Sequence, residues 1–451
     1  ALTGRFARLV FGRRRDGFGK IGCASSTLDR TAYASRDAFM IEAMRSVGDL
    51  GIHRNVSLQV IYASSVMMIM GTGVIYPVLP VIAQSLEVPR SQIGLILTVF
   101  TLPSIFLAPV IGMLADLKGR KAVLSSSLLL YGVTGVGITF VDSFSSVLVL
   151  RALQGVGYAG VMPLTIVLIG DTFTRETETS AQGIKVLLDR AALLVIPIAV
   201  GALSALAWQM PFDLYALTIP LAFVAMLRLR ERAVVQEERP QNYLKMVGMA
   251  CLKIRSLTIF SMSSMRFFLE FSFFTYLPIF AIETLGVSVI KGGFLFGIFA
   301  LGSMMTASAI GPLAARFERV PLVTGAFLVQ SGCLSVAALA QNVWWLGTAM
   351  LVFGLANGII SPAQKSLLTQ SVPRQLRAGF VSADRISQQV AKSIAPLIAG
   401  FIVVFTSIQM MFMVMGVFTL GWVIVVVALN ARGALRPSLV DAPEATALQP
   451  S

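Results

Sequence analysis

The sequence predicts an all-α membrane protein of twelve transmembrane helices, arranged as two six-helix halves that repeat one another. Three observations lead there. Of the 451 residues, 56% are hydrophobic and only 13% charged, about half the charge of an ordinary soluble domain. Mean hydropathy is +0.81. Apolar runs long enough to cross a hydrocarbon core, which takes about 20 helical residues, recur along the chain, and landmarks in the second half repeat those of the first at a constant offset.

Taken in order, residues 1–54 come first. They hold nine arginines and Lys20 against Asp16, Asp29, Asp37, Glu42 and Asp49, and contain no long apolar run. They read as a cytosolic Arg-rich tail, since five acids are more than an organellar transit peptide carries; an organellar address stays open. The first half, 55–228, has apolar runs at 56–82, 91–115, 122–140, 146–170, 182–207 and 211–228. The polar stretch 229–254 reads as a cytoplasmic central loop. The second half, 255–431, has runs at 255–284, 290–314, 320–340, 343–370, 378–406 and 408–431, and 432–451 reads as a second cytosolic tail.

The cations sort by face. Loops near 83–90, 141–145, 208–210, 285–291, 341–342 and 407 hold only Arg90 and Lys291. The alternate loops hold Lys118, Arg120, Lys121, Arg175, Arg316, Arg319, Arg374 and Arg377, and the central stretch adds seven more from Arg228 to Arg255. Cytoplasmic loops carry the excess of Lys and Arg, so both termini are expected in the cytoplasm, in a cell (plasma or inner) membrane or an organellar one. This placement accounts for the formal charge of +14 without nucleic-acid binding, which a basic chain could otherwise suggest. The cysteines Cys23, Cys251 and Cys333 have no metal or redox spacing, and His53 is the single histidine. No metal and no cofactor are expected, and the chain reads as a monomer in the bilayer.

The repeat has an offset of 199 residues. Gly94 aligns with Gly293, Gly112 with Gly311, Leu114 with Leu313, Arg120 with Arg319, Gly155 with Gly354, Pro163 with Pro362, Arg175 with Arg374, Pro197 with Pro396, and Gly201 with Gly400. Parallel six-span repeats are a transporter architecture with the substrate site between the halves near the midplane.

Three motifs narrow the reading. The loop after the second run is Gly112-Met113-Leu114-Ala115-Asp116-Leu117-Lys118-Gly119-Arg120-Lys121, a tight turn whose carboxylate can meet the positive end of a helix dipole in the other half. This string closely resembles the signature loop of the major facilitator superfamily. The resemblance implies a cytoplasmic gate in which Asp116 and Arg120 latch the halves in the outward-facing state, with Gly112, Gly119 and Lys121 as motif positions. The second copy, from Gly311 to Arg319, has Ala315 where Asp116 stands. Asp171, at the cytoplasmic end of the fourth run, is a candidate partner for Arg120.

In the first run, Gly71 is followed by Pro77-Val78-Leu79-Pro80, and the fourth run contains Arg151-Ala152-Leu153-Gln154-Gly155-Val156-Gly157. Both resemble signatures of twelve-span drug:proton antiporters, a family in which the arginine is implicated in proton coupling. The resemblance spans residues 56–431. The chain departs from it at Ile196-Pro197-Ile198-Ala199-Val200-Gly201, which keeps one proline and one glycine of the fifth-helix motif, and in having no acid between Arg54 and Glu87. Gly155-Val156-Gly157-Tyr158-Ala159-Gly160 matches a dinucleotide pattern, but that pattern needs a preceding strand; inside a spanning helix the glycines serve close helix packing.

Charges within spans are costly, so they are kept for pairing or function. Glu270, with Arg266 one turn earlier, is the first candidate for proton coupling. Asp189, with Lys185, is the second, and Arg151 completes the set. Arg385, Gln388, Gln389 and Lys392 fall in the eleventh run. A carboxylate in a cavity wall can take and release a proton as the cavity faces each side, while a neighbouring arginine competes for it. The candidate substrate cavity comprises Gln59, Tyr62, Tyr76, Gln154, Tyr158, Phe274, Gln330, Asn357, Gln364 and Arg385, a mixture suited to amphipathic solutes. The expected function is proton-coupled export of drug-like or lipophilic molecules by alternating access, not catalysis. The alternative is a facilitator or symporter of a polar metabolite such as a sugar or organic anion, which Arg151, Arg190, Arg266 and Arg385 would favour if they face the cavity.

Overall fold

A computed structural model describes residues 55–172, 175–229, 243–308, 318–372, 376–433 and 435. The expectations placed on 1–54, on 230–242 of the central loop, on 311–317 of the repeated signature loop and on the last residues fall outside them. Among the described residues, twelve helical segments are long and apolar enough to cross a membrane.

The first span is broken into α1 (Val56–Gly73) and α2 (Ile75–Ser85) at Val74. Pro77 lacks an N–H and crowds the carbonyl four residues back, which is Gly73, so the ladder is interrupted there. Then follow α3 (Leu95–Lys118), α4 (Arg120–Gly137, extended by a 3₁₀ turn to Phe140), α5 (Phe144–Thr172) and α6 (Arg175–Ser204). A 3₁₀ segment, Met210–Leu217, leads into α7 (Thr218–Arg228) and completes the sixth span. After α8 (Tyr243–Cys251), the second half contains α9 (Ile254–Glu283), α10 (Val289–Ser308), α11 (Arg319–Ala338), α12 (Val343–Gln370), α13 (Arg377–Phe405) and α14 (Ile408–Ala431). Both ends of the twelve-span bundle lie on one face, because twelve is even.

Two elements differ from expectation. The helix α6 starts at Arg175, well before the apolar run at 182, because an apolar run marks the lipid crossing and backbone hydrogen bonds carry the helix beyond it. The stretch expected as loop contains α8. Tyr243, Met246, Val247 and Cys251 of this short helix pack on a cluster of Ile259, Phe260, Leu368, Val372, Leu376 and Phe380. The Gly379 N–H donates to the Tyr243 hydroxyl at 2.9 Å. Nine residues cannot form a stable helix alone, so α8 owes its existence to this apolar seat.

Within the halves, the glycines of the false dinucleotide pattern act as contact points. A Cβ on Gly155 would overlap the backbone of Phe100, one on Gly157 would stand 2.7 Å from the Ser127 carbonyl, and Gly354 meets Phe299 as Gly155 meets Phe100. Between the halves, α3 packs on α13, α6 on α10, and α2 on α9. At the face opposite the chain ends, a Cβ on Gly94 would come within 2.9 Å of the Pro396 carbonyl oxygen, while Gly293 lies equally hard on Pro197. Gly400 abuts Ser91, and Gly201 abuts Val289 and Ile290. Toward the terminus-bearing face the described glycines make no matching contact between the halves. Gly112 on α3 and Gly183 on α6 have, among the described residues, nothing within 4 Å of a Cβ position.

Candidate functional site: a cleft between the halves

The site is a cleft, closed at the far face and open toward the face that carries the chain ends. Its floor is aromatic. Tyr76 of α2 stacks on Phe296 of α10 at 5.5 Å between ring centroids and meets Phe274 of α9 edge-on at 5.4 Å. Phe271, Phe299 and Phe353 extend the cluster. Beyond it, Arg90 bridges to Glu283 at 2.5 Å, an exposed pair between the halves.

One wall is a polar seam. Thr98 donates to the Ser393 carbonyl at 2.9 Å, Thr101 and Ser393 share a hydroxyl contact at 2.8 Å, and Gln389 donates to the Ser104 hydroxyl. The opposite seam, α6 on α10, is apolar, formed by Leu194, Pro197 and Ile198 against Gly293 and Gly297.

The candidate proton carboxylates are held very differently. Asp189 is firmly engaged: Lys185 sits at 2.8 Å and the Ser65 hydroxyl donates at 2.5 Å. Glu270 is held loosely, by an Asn357 amide at 3.3 Å and by Arg266 at 3.7 Å, beyond hydrogen-bond range. Arg266 stacks on Phe267 at 3.8 Å, and Lys392 lies over the same ring at 4.2 Å and over Phe271 at 5.8 Å.

Arg151 lies apart from the cleft. It is 0% exposed; its guanidinium donates to the Gln154 side chain at 2.7 Å and the Gly71 carbonyl at 2.8 Å, and lies over the Phe100 ring at 4.2 Å. Gln154 in turn donates to the Tyr131 carbonyl at 3.3 Å, and Tyr215 donates to the Met70 carbonyl at 2.8 Å. Arg151 and Tyr215 thus tie α5 and the sixth span to the last turn of α1, next to the break in the first span. Gln154 and Arg151 therefore belong to the interior of the first half, and Arg151 drops out of the set of cavity-facing cations.

The remaining predicted residues are dispersed. Tyr158 is partly exposed on the cleft wall, 5.0 Å from Phe100, and sits within the electrostatic reach of Arg385 and Asp189. Tyr62 donates its hydroxyl to the Ala181 carbonyl at 3.0 Å, tying α1 to α6. Gln59 is exposed in the first turn of α1. Asn357 and Gln364 are buried on α12, and Gln330 is fully buried on α11. Tyr76 and Phe274 form part of the floor. At the terminus-bearing face, Arg120 pairs with Asp171 of α5 and with Asp116 at 3.3 Å, all within the first half. Gly119 has φ +94°, a conformation that glycine adopts without strain, and this lets α4 leave α3 in one residue. Lys121 is partly buried beside it.

Three charged residues escaped the sequence-level site: Lys365, Lys392 and Asp384. Their signal was a charge inside a spanning run. Asp384 accepts from Gln388 at 2.6 Å through one carboxylate oxygen, and its other oxygen is buried without a hydrogen-bond partner among the described residues.

The sequence profile of the Major Facilitator Superfamily matches residues 61–391 and, again, 293–448. The chain belongs to that superfamily. It is a membrane-embedded transporter and not an enzyme. Among curated relatives, the bacillibactin exporter of Bacillus subtilis (strain 168) is 26% identical over 347 residues, covering 72% of this chain and 84% of that protein. The quinolone resistance protein NorA of Staphylococcus aureus (strain COL) is 23% identical over 392 residues, covering 85% and 99%. Among solved structures, a bacterial homolog of the human lysosomal transporter Spinster, in an inward-facing and occupied conformation, aligns with a TM-score of 0.71 at 17% identity, over 86% of this chain and 98% of that one.

Proposed function

We propose that this superfamily member exports small amphipathic molecules by alternating access, in exchange for protons, with both chain ends in the cytoplasm of a cell whose plasma membrane it spans. The observation that carries the coupling is Glu270, a carboxylate deep in a spanning helix on the wall of a cleft, with no hydrogen bond shorter than 3.3 Å among the described residues. Asp189 is less suited, because Lys185 and Ser65 already hold both its oxygens. Two relatives named as an exporter and a resistance protein support the direction of transport, and the positive-inside distribution of Lys and Arg supports the orientation.

The test uses protein reconstituted in liposomes, with a lipophilic dye as solute. An imposed pH gradient is expected to drive saturable dye flux. Glu270→Gln is expected to reduce that flux at least ten-fold while retaining dye exchange without a gradient. Full gradient-driven flux in Glu270→Gln would remove Glu270 from the mechanism.

A further inference from the structure

The cleft gathers more positive than negative charge. Lys185 and Arg190 come from α6, Arg266 from α9, Lys365 from α12, and Arg385 and Lys392 from α13. They act on one another electrostatically across the boundary between the halves: Lys365 senses Arg190 and Lys185 of the first half as well as Arg266 and Arg385 of the second, and Arg266 senses Arg190. Facing these six cations are three carboxylates, Asp189, Glu270 and Asp384, a formal excess of three positive charges. Asp189 is already engaged at both oxygens, by Lys185 and Ser65, and Asp384 at one, by Gln388. Among the described residues, Arg190, Lys365, Arg385 and Lys392 have no carboxylate within 4 Å.

Unpaired cations within spanning segments are costly in the absence of an anion. Lys365 and Arg385 are reachable by water although protein surrounds them on most sides, so they lie where a solute entering the cleft would pass. Beside them lie rings: Phe267, covered by Arg266 and Lys392, the buried Phe271, and the partly exposed Tyr158 close to Arg385. The buried amide nitrogen of Gln364, adjacent to Lys365, has no protein partner, and neither does the buried Nε of Arg266. Both are donors suited to oxygen acceptors.

We propose that the cleft binds an organic anion, with its acidic group held by Arg385 and Lys392 and its apolar body laid on the partly exposed Tyr158. Arginine grips a carboxylate, sulfonate or phosphate through two parallel donors, and lysine supplies a compact second charge. Arg190 and Lys365 hold the cleft at positive potential, which draws such a solute in. This rests on the transport reading above and specifies its substrate class.

The experiment compares three naphthalene probes of one size, bearing a carboxylate, a hydroxymethyl or an aminomethyl group, by calorimetry on protein in lipid nanodiscs. The carboxylate is expected to bind at least ten-fold more tightly than the neutral probe, with the ammonium weakest. Arg385→Gln and Lys392→Gln are each expected to weaken the carboxylate about ten-fold and leave the neutral probe unchanged, while Lys392→Arg restores it. Lys291→Gln, in the first turn of α10 at the far face, is the control for surface charge. Equal binding of all three probes, or preference for the ammonium, overturns the proposal, as does unchanged carboxylate affinity in both glutamine variants. Carboxylate binding without pH-driven flux in liposomes would sustain the anion site and overturn the proton-coupled reading. Flux of a cationic dye without carboxylate binding would do the reverse.

Discussion

Arg151 and Glu270 are both charges deep in spanning helices, and their surroundings assign them opposite work. Arg151 is fully buried, with its donors committed to Gln154 and Gly71 and its face on Phe100. Removing it leaves a carbonyl and an amide oxygen buried without donors, each costing about 1–3 kcal/mol. Arg151→Ala is therefore expected to lower the thermal unfolding midpoint of the purified protein markedly, and Arg151→Lys to rescue it only in part, because one ammonium cannot reproduce the planar fork. An unchanged midpoint in Arg151→Ala would return this residue to a coupling role. The motif around Arg151 was legible in the sequence. Its burial was not, because the partner Gly71 lies 80 residues away and contributes only a backbone oxygen. The loose hold on Glu270 was equally hidden, since Asn357 reaches it from a different half-turn of the fold, 87 residues on.

At the scale of elements, the aligned glycines and prolines of the 199-residue repeat find their physical reason in the seams. Gly94 lies on Pro396 and Gly293 on Pro197, so each half brings a glycine to the proline of the other, and the two contacts are related by the repeat. A side chain at either glycine would hold the halves apart at the far face. With spin labels at Glu87→Cys and Thr284→Cys, both exposed positions near that face, Gly293→Val is expected to lengthen the mean interlabel distance and broaden its distribution. An unchanged distribution would show that the seam does not set the closure. The repeat was legible because close helix contact demands small residues, whatever the order of the rest. The hydroxyl contacts of Thr98, Thr101 and Ser104 with Ser393 and Gln389 were not, for they join residues almost 300 positions apart and have no periodicity beyond a polar residue in an apolar run. Helix α8 was hidden for another reason: its apolar face is too short to stand out from a charged linker until the seat beneath it is in place.

For the whole molecule, the twelve-span count, the two halves and the family followed directly from apolar runs and motif loops, because lipid imposes a length on every crossing. The state of the bundle did not follow, since one sequence must serve both ends of a transport cycle. At the terminus-bearing face Arg120 pairs with Asp116 and Asp171, within the first half. Locking the far face should stop the cycle. In a variant whose native cysteines Cys23, Cys251 and Cys333 are replaced, Arg90→Cys with Glu283→Cys is expected to lose transport on treatment with a short cleavable bifunctional thiol reagent and to regain it on reduction. Sustained flux in the cross-linked protein would mean that the far face need not open.

The floor of the cleft carries a last consequence. Its seal consists of Tyr76 against Phe271, Phe274 and Phe296, and of glycines against proline backbones; the only ion pair described across it, Arg90 with Glu283, is 58% and 31% exposed and contributes about 0.2–1 kcal/mol. Dissolved salt weakens exposed pairs and scarcely touches rings packed in an apolar plug. The far-face barrier should thus hold equally well in fresh and in saline surroundings, so that ionic strength on that side governs how a charged solute approaches the protein and not whether the protein leaks.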